Sequence, residues 1–324
     1  MTIPSSPPPS VPGAATPGWY ARLRKNRLGV AAFWVVVLYF LCALGVEIYD
    51  IAAGACGFTP VYAVEDPNAV FAPPSLQHWF GTDYLGRDCF WRAVGGVATA
   101  VKVGTIAALI AAVIGVLLGT AAGYYGGRRD ELVVWLYSVF AAMPTLLFIL
   151  AFALLFTRGF LHPTLLAPLQ VLAALFHTEI GMLAVYLAIG LTGWVTLCRV
   201  IRAETMKLRE QTYVQAARVA GVSDFRIILR HILPNVRHLV VIYFTLRFAY
   251  AIMTEVIVSY LGLGVQHAPS WGVMISDGQE RLWRGVWWEV GCATLFMFVL
   301  VLALNILGDA LRDMTDPKNE SRDV

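Results

Sequence analysis

Long apolar runs alternate with short polar, Arg-rich stretches along almost the whole chain. A bilayer-spanning helix needs about 20 apolar residues, and six runs meet that length: Leu28–Tyr49, Val97–Tyr125, Leu132–Phe156, Ile180–Val200, Val236–Gly262 and Trp288–Leu307. The pattern predicts an all-α polytopic membrane protein with six transmembrane helices. Pro144 falls inside the third run and predicts a kink there. A seventh stretch, Leu161–Phe176, is short and carries Pro163 and Pro168. It is expected to re-enter the membrane or lie on its surface.

Charge orients the pattern. Of 324 residues, 58% are hydrophobic and 14% charged, against about 25% charged in soluble domains. With the N-terminus inside, the inner segments hold Arg22, Arg24, Lys25, Arg27, Arg128, Arg129, the many basic residues of Arg202–Arg237, and Arg312, Lys318 and Arg322. The outer segments hold only Arg87, Arg92, Arg158, Arg281 and Arg284. That excess predicts six spans in the cell inner (plasma) membrane, with both termini cytoplasmic. Trp79, Trp91, Trp271, Trp283, Trp287 and Trp288 lie in or beside the outer loops, as an interfacial aromatic belt would. Residues 1–20 are rich in Pro, Ser and Gly and are expected to be a disordered tail. Residues 21–96 form the first span and a long outer loop, 97–311 the core, and 312–324 an inner tail.

Several classes are excluded or disfavoured. No Gly-x-x-x-x-Gly-Lys-Ser/Thr sequence is present, so this chain holds no phosphate loop of that kind, and no bound cofactor is expected. The cysteines show no metal-ligand spacing, so no metal site is expected. Cys56 and Cys89 can pair as a disulfide if both lie outside the membrane. The net charge of +3 gives no reason to expect nucleic acid. Gly115, Gly119 and Gly123, spaced by four, make a small-residue face suited to close helix packing, and contact with a second subunit is the use expected of it.

The inner loop between the fourth and fifth spans carries the strongest local pattern. Residues 204–235 read as two short helices. The first is Arg209–Ala220. Gly221 is suited to the left-handed position past its end. Ser223 caps the second, with Asp224 in its first turn. The second helix holds Phe225, Ile228, Leu229 and Ile232 on one apolar stripe, and Pro234 is expected to disfavour helix around His231–Leu233. Ala216, Ala217 and Gly221 leave one side of the first helix almost bare. From chemistry alone, the loop either lies on lipid headgroups or receives a partner surface.

This loop resembles the E-A-A-x3-G-x9-I-x-L-P loop of ABC importer permeases. Ala216, Ala217, Gly221, Leu233 and Pro234 match at the family spacing, whereas Gln215 replaces the usual Glu and His231 the usual Ile. FGTDYLGRDCFWR, from Phe80 to Arg92, resembles the external motif of the dipeptide and oligopeptide branch and supplies Gly81, Thr82, Asp83, Gly86, Arg87 and Asp88. AGYYGGRRDE (Ala122–Glu131) and SYLGLGVQHAPSWGVMISDG (Ser259–Gly278) resemble two further segments of that branch. The chain departs from the branch at Val97–Thr99 and in Thr157–Glu179.

The resemblance implies the type I ABC importer permease fold with a cytoplasmic coupling-helix loop. It also implies a passive translocation subunit, with ATP hydrolysis on other chains. The implied partners are a second homologous permease, two cytoplasmic ABC ATPase subunits, an external substrate-binding protein and membrane lipid. The implied cargo is short peptides, although cousins take glutathione, nickel complexes or antimicrobial peptides. Arg247 and Glu255 fall within the fifth span, where charge is costly. Eight residues apart on a helix, they sit about 12 Å apart and do not pair directly. Pathway lining and anchoring of the next loop are both open readings for them. Two other functions stay open: a proton-coupled secondary transporter using Glu255, which leaves the inner loop unexplained, and a membrane enzyme using His231 or Asp83, which lacks any supporting triad.

Overall fold

The computed structural model describes residues 26–157, 163–175, 178, 180–264 and 268–315. The predicted tail 1–20, parts of the 157–179 segment and the end of the inner tail lie outside the described residues. Among those described, the regular structure is helical, apart from one isolated antiparallel bridge between Thr82 and Asp88.

Among the described residues, five helices are long and apolar enough to cross a membrane, and a bent pair raises the number to six. We label them in chain order: α1 Arg27–Cys56, α2 Cys89–Tyr125, the pair α3 Gly127–Ala142 and α4 Thr145–Thr157, α5 Pro163–Leu175, and α6 Ile180–Arg209. After these come α7 Thr212–Val219, α8 Asp224–Ile227, α9 Leu233–Tyr260, α10 Trp271–Gln279 and α11 Trp288–Thr315.

The third predicted span is not one kinked helix. Its two halves meet at 87°. Pro144 has no N–H to give, and it drives Met143 into extended backbone (φ −79, ψ 134). The helix restarts at Thr145, and the Phe148 amide bonds back to the Pro144 carbonyl at 3.1 Å. The second span also begins earlier than its apolar run, at Cys89, because Asp88 caps it there.

The core seam is α2 against α6, and small residues build it. A Cβ on Gly115 would lie 3.1 Å from the Trp194 carbonyl, one on Gly119 2.7 Å from that of Cys198, and one on Gly123 2.6 Å from that of Arg202. The stripe expected to meet a second subunit is therefore filled by this chain's own α6. With lipid outside, there is no hydrophobic driving force between helices, so such close packing supplies the attraction.

Other expectations fail for the same reason, burial. Trp271 is 1% exposed and donates Nε1–H to the Ala93 carbonyl at 2.9 Å. Trp288 is buried too, and its Nε1–H reaches the Thr82 carbonyl at 3.0 Å. These two are core pins, not belt residues, whereas Trp79, Trp91, Trp283 and Trp287 are exposed. Cys56 and Cys89 are both free thiols. Cys56 is exposed, while Cys89 is sealed inside beside Cys292.

Candidate functional sites at the two ends of the bundle

At one end of the bundle, Phe80–Arg92 folds into the tight turn expected before α2. Gly81 and Gly86 have positive φ (60 and 76), and a Cβ on Gly86 would collide with the Asp66 carbonyl. Asp83 is fully buried at its centre. Its Oδ1 accepts from the Leu85 and Arg87 amides, both at 2.9 Å. Its Oδ2 accepts from Arg87 Nε at 2.8 Å and from Arg92 Nη1 at 2.5 Å. Asp88 caps α2 through the amides of Phe90 (2.8 Å) and Trp91 (3.2 Å), while its other oxygen meets His78 Nδ1 at 2.9 Å. Thr82 is buried; its hydroxyl accepts from the Ala72 amide at 2.8 Å and donates to the Ala69 carbonyl.

The turn belongs to a larger ion network that the sequence motif does not contain. Arg92 also lies 3.3 Å from Glu289 and 3.7 Å from Asp277, and Arg281 lies 3.1 Å from Glu289. The network joins the turn to α2, α10 and α11. Arg92 and Glu289 are 197 positions apart, and only their burial in the apolar first turns of α2 and α11 hinted at a shared role.

The 204–235 loop sits at the other end. α6 closes at Arg209, and Gln215 Nε2 donates to the Arg209 carbonyl at 3.0 Å. Gly221 takes φ +78, as expected, with its amide on the Arg218 carbonyl at 3.0 Å. The turn is tied to the bundle: Tyr124 donates its hydroxyl to Asp224 Oδ1 at 2.7 Å, and the Arg218 guanidinium stands 5.3 Å from the Tyr124 ring. Arg218 is held further into its charged form, first by its hydrogen bond to Tyr124.

Two details of this loop differ from expectation. Ser223 occupies the cap position of α8, but its side chain makes no capping bond. The chain also stays helical through Pro234: α8 runs into a π turn, Ile228–Ile232, and then into α9 with Pro234 in its first turn. Proline is tolerated there because the wider π turn just before it accommodates a residue that gives no amide hydrogen bond. The expected stripe splits. Ile227 and Ile232 are buried with Tyr124 and Val214, while Phe225 (69% exposed) and Leu229 point outward, Ile228 lying between. Ala216, Val219 and Ala220 are exposed as well, so an exposed patch rich in apolar residues, with Arg218, Asp224 and Arg226 interspersed among them, spans α7 and α8. His231 and Leu233 are half-buried and Pro234 exposed.

Arg247 and Glu255 do not come together. Glu255 is buried, and its Oε1 accepts from Ser259 Oγ at 2.6 Å and Ser270 Oγ at 2.9 Å. Ser270 in turn caps α10, accepting from the Gly272 amide at 3.1 Å. The carboxylate thus holds the α9–α10 connection, as the anchoring reading expects. Arg247 lies along α6, 3.3 Å from Thr196 Oγ1 and 5.2 Å from the Tyr250 ring centre.

The family model for the inner membrane component of binding-protein-dependent transport systems matches residues 115–321. The dipeptide transport system permease protein DppC of Bacillus subtilis (strain 168) is 34% identical over 303 residues, covering 92% of this chain and 84% of that protein. The oligopeptide transport system permease protein OppC of the same strain is 33% identical over 310 residues, covering 92% and 88%. The glutathione transport system permease protein GsiD of Escherichia coli O6:K15:H31 (strain 536 / UPEC) is 37% identical over 246 residues, covering 76% and 74%.

Proposed function

Because the chain belongs to the family of inner membrane components of binding-protein-dependent transport systems, we propose that it is one permease half of an ATP-driven importer of short peptides. A second, homologous permease completes the path. An external binding protein delivers cargo at the Asp83 end, and two ATPase subunits grip the Gly221 end, which faces the cytoplasm along with both termini. ATP is hydrolysed on those subunits and not on this chain. The dipeptide, oligopeptide and glutathione cargoes named for the relatives share a free α-amino group and a carboxylate, so the cargo class follows from the company the sequence keeps.

The observation that carries the reading is the α7–α8 patch. It is exposed and rich in apolar residues, and it is built on a loop fastened to α2 by Tyr124–Asp224 and continuous with α9. An exposed apolar patch on an otherwise polar end marks a protein contact. Lipid headgroups would favour Phe225 and Leu229 but have no use for a bare Ala216–Ala220 face. The secondary-transporter reading loses its support, because Glu255 is engaged as a structural anchor.

The test is Ala216→Arg, which keeps helix propensity and an exposed position while raising a bulky side chain on the patch. The variant inserts, pairs with its sister permease, loses the ATPase on purification and no longer supports uptake. Gly221→Arg does the same, with added backbone strain at φ +78. Wild-type copurification and uptake in both variants would remove the coupling role. A reporter fused after Asp323 and active only in the periplasm would overturn the orientation.

A further inference from the structure

Near the Asp83 end, α1 and α2, with Tyr62, Ala268 and Pro269, line a half-open cavity of about 340 Å³. Each helix turns a single face to it: Glu47, Asp50, Ile51 and Gly54 from α1, and Gly95, Ala98, Thr99 and Lys102 from α2. Both sets follow the i, i+3, i+4, i+7 spacing of one helix face. Gly54 leaves the space open, Gly95 lets Pro269 and Tyr62 approach α2, and the acidic and basic groups stand around the space. The volume falls in the range of small-molecule sites.

Among the described residues, two carboxylates and one ammonium line this cavity. Lys102 and Glu47 form an ion pair across it, each side chain about a quarter exposed (22% and 25%). Asp50 accepts from the Tyr62 hydroxyl at 2.9 Å. Burial, and then that hydrogen bond, push the Tyr62 phenol up, so it stays a neutral donor. Thr99 closes the roof by donating to the Pro269 carbonyl at 2.7 Å. A second cavity of about 410 Å³ shares Thr99, Lys102 and Ala268 and continues to Ala173 on α5 and Met182 on α6. Lys102 therefore stands between the two spaces. Its partner carboxylate can be shared with an incoming cation, and among the described residues the carboxylates of the site outnumber its ammonium by one.

We infer that the α1–α2 cavity is a cargo subsite that takes the primary ammonium group of the transported molecule on Glu47 and Asp50. The inference rests on the peptide-import reading. An entering ammonium displaces Lys102 from Glu47, and Lys102 swings toward the second cavity, where it can meet the cargo's carboxylate. A zwitterion fits this charge order better than an N-blocked peptide, which brings no cation to the carboxylates.

The test reads the charge of the cavity directly. Gly54 lines it, and a Cβ there meets nothing within 4 Å, so Gly54→Cys is tolerated. In the assembled importer on a Cys56→Ser background, Gly54→Cys is labelled with cationic and anionic methanethiosulfonate reagents of similar size. A net negative site gives a rate ratio favouring the cation by on the order of tenfold. Asp50→Asn combined with Glu47→Gln brings the ratio to one or below. Glu47→Gln with Lys102→Met removes the pair at constant net charge and keeps the preference. A dipeptide with a free amino end slows labelling of the wild-type cavity, and its N-acetyl form does not. A ratio near one in the wild-type cavity, or equal protection by both dipeptides, or protection by neither, overturns the subsite. ATP-driven uptake of the free dipeptide is measured in parallel. If it proceeds without protection, only the subsite fails; if uptake itself is absent, the peptide-import reading fails.

Discussion

Asp83→Asn isolates what the buried ion network contributes. Asp83 is fully buried, and its Oδ2 receives two cationic donors, Arg92 Nη1 at 2.5 Å and Arg87 Nε at 2.8 Å. Asparagine keeps one oxygen for the Leu85 and Arg87 amides but turns an N–H toward the two guanidinium groups. Arg92 then retains Glu289 at 3.3 Å and Asp277 at 3.7 Å, both more distant than Asp83. Breaking a buried pair from one side costs roughly 3–5 kcal/mol, and the turn sits in that range because no water reaches the vacated position. Arg92→Met costs less, about 2 kcal/mol, because Asp83 keeps Arg87 and two amides and Glu289 keeps Arg281 at 3.1 Å. In the double variant the clash with Arg92 is gone and only that with Arg87 remains, so its cost falls short of the sum by about 1–3 kcal/mol. Unfolding in mixed micelles followed by tryptophan fluorescence gives the four values. Asp88→Ala, by contrast, removes a helix cap and a half-exposed histidine contact and costs about 1 kcal/mol, with a matching fall in complex yield. Strict additivity of Asp83→Asn and Arg92→Met, or an Asp83→Asn cost below that of Asp88→Ala, would refute the network as the fastening of this end.

Gly123→Val forces the α2–α6 seam apart, since its Cβ would lie 2.6 Å from the Arg202 carbonyl and 2.8 Å from Thr205 Cβ; a loss of about 1–3 kcal/mol is expected in the same assay. Gly45→Ala, with open space at its Cβ within α1, is neutral or stabilising by up to about 1 kcal/mol. Maleimide labels Cys56 in the folded protein but not Cys89 or Cys292, and reduction leaves gel mobility unchanged; a reduction-sensitive band would show a disulfide. Arg226→Gly with Arg230→Gly softens the exposed side of the α8–α9 connection by about 2 kcal/mol in total without touching the apolar residues of the patch. It keeps the ATPase bound and hydrolysing while uptake per ATP falls several-fold, and an unchanged ratio would argue against a rigid connection.

Hydrophobic runs revealed the spans because the length needed to cross lipid leaves a signal in the chain itself. The same logic found the positive φ at Gly221 and the Asp83 turn, where local chemistry demands specific residues. What stayed hidden depends on neighbours far along the chain. Gly115, Gly119 and Gly123 announce a close contact but not with whom, and α6 is the answer only in three dimensions. Trp271 reads as an interfacial aromatic until Ala93 is placed beside its ring nitrogen. Arg92 and Glu289 are each a lone charge at the start of an apolar helix until folding joins them.

Pro234 misled in a more instructive way. A proline after a short helix signals a stop, yet the π turn at Ile228–Ile232 accommodates its missing amide and the helix runs on into α9. The result is a continuous helical path of 37 residues from Asp224 to Tyr260. At 1.5 Å per residue it is about 55 Å long. One end carries the exposed patch at Phe225, and near the other Glu255 holds Ser270 and with it the start of α10, whose Asp277 reaches Arg92. The exposed patch and the ion network at the opposite end are thereby joined by a chain of contacts: the α8–α9 path, the Glu255–Ser270 bond, α10 and the Asp277–Arg92 pair. A break at Pro234 would have interrupted that path. The two sites at the ends of the bundle thus share one contact path, and the π turn is the feature that keeps its longest helical stretch continuous.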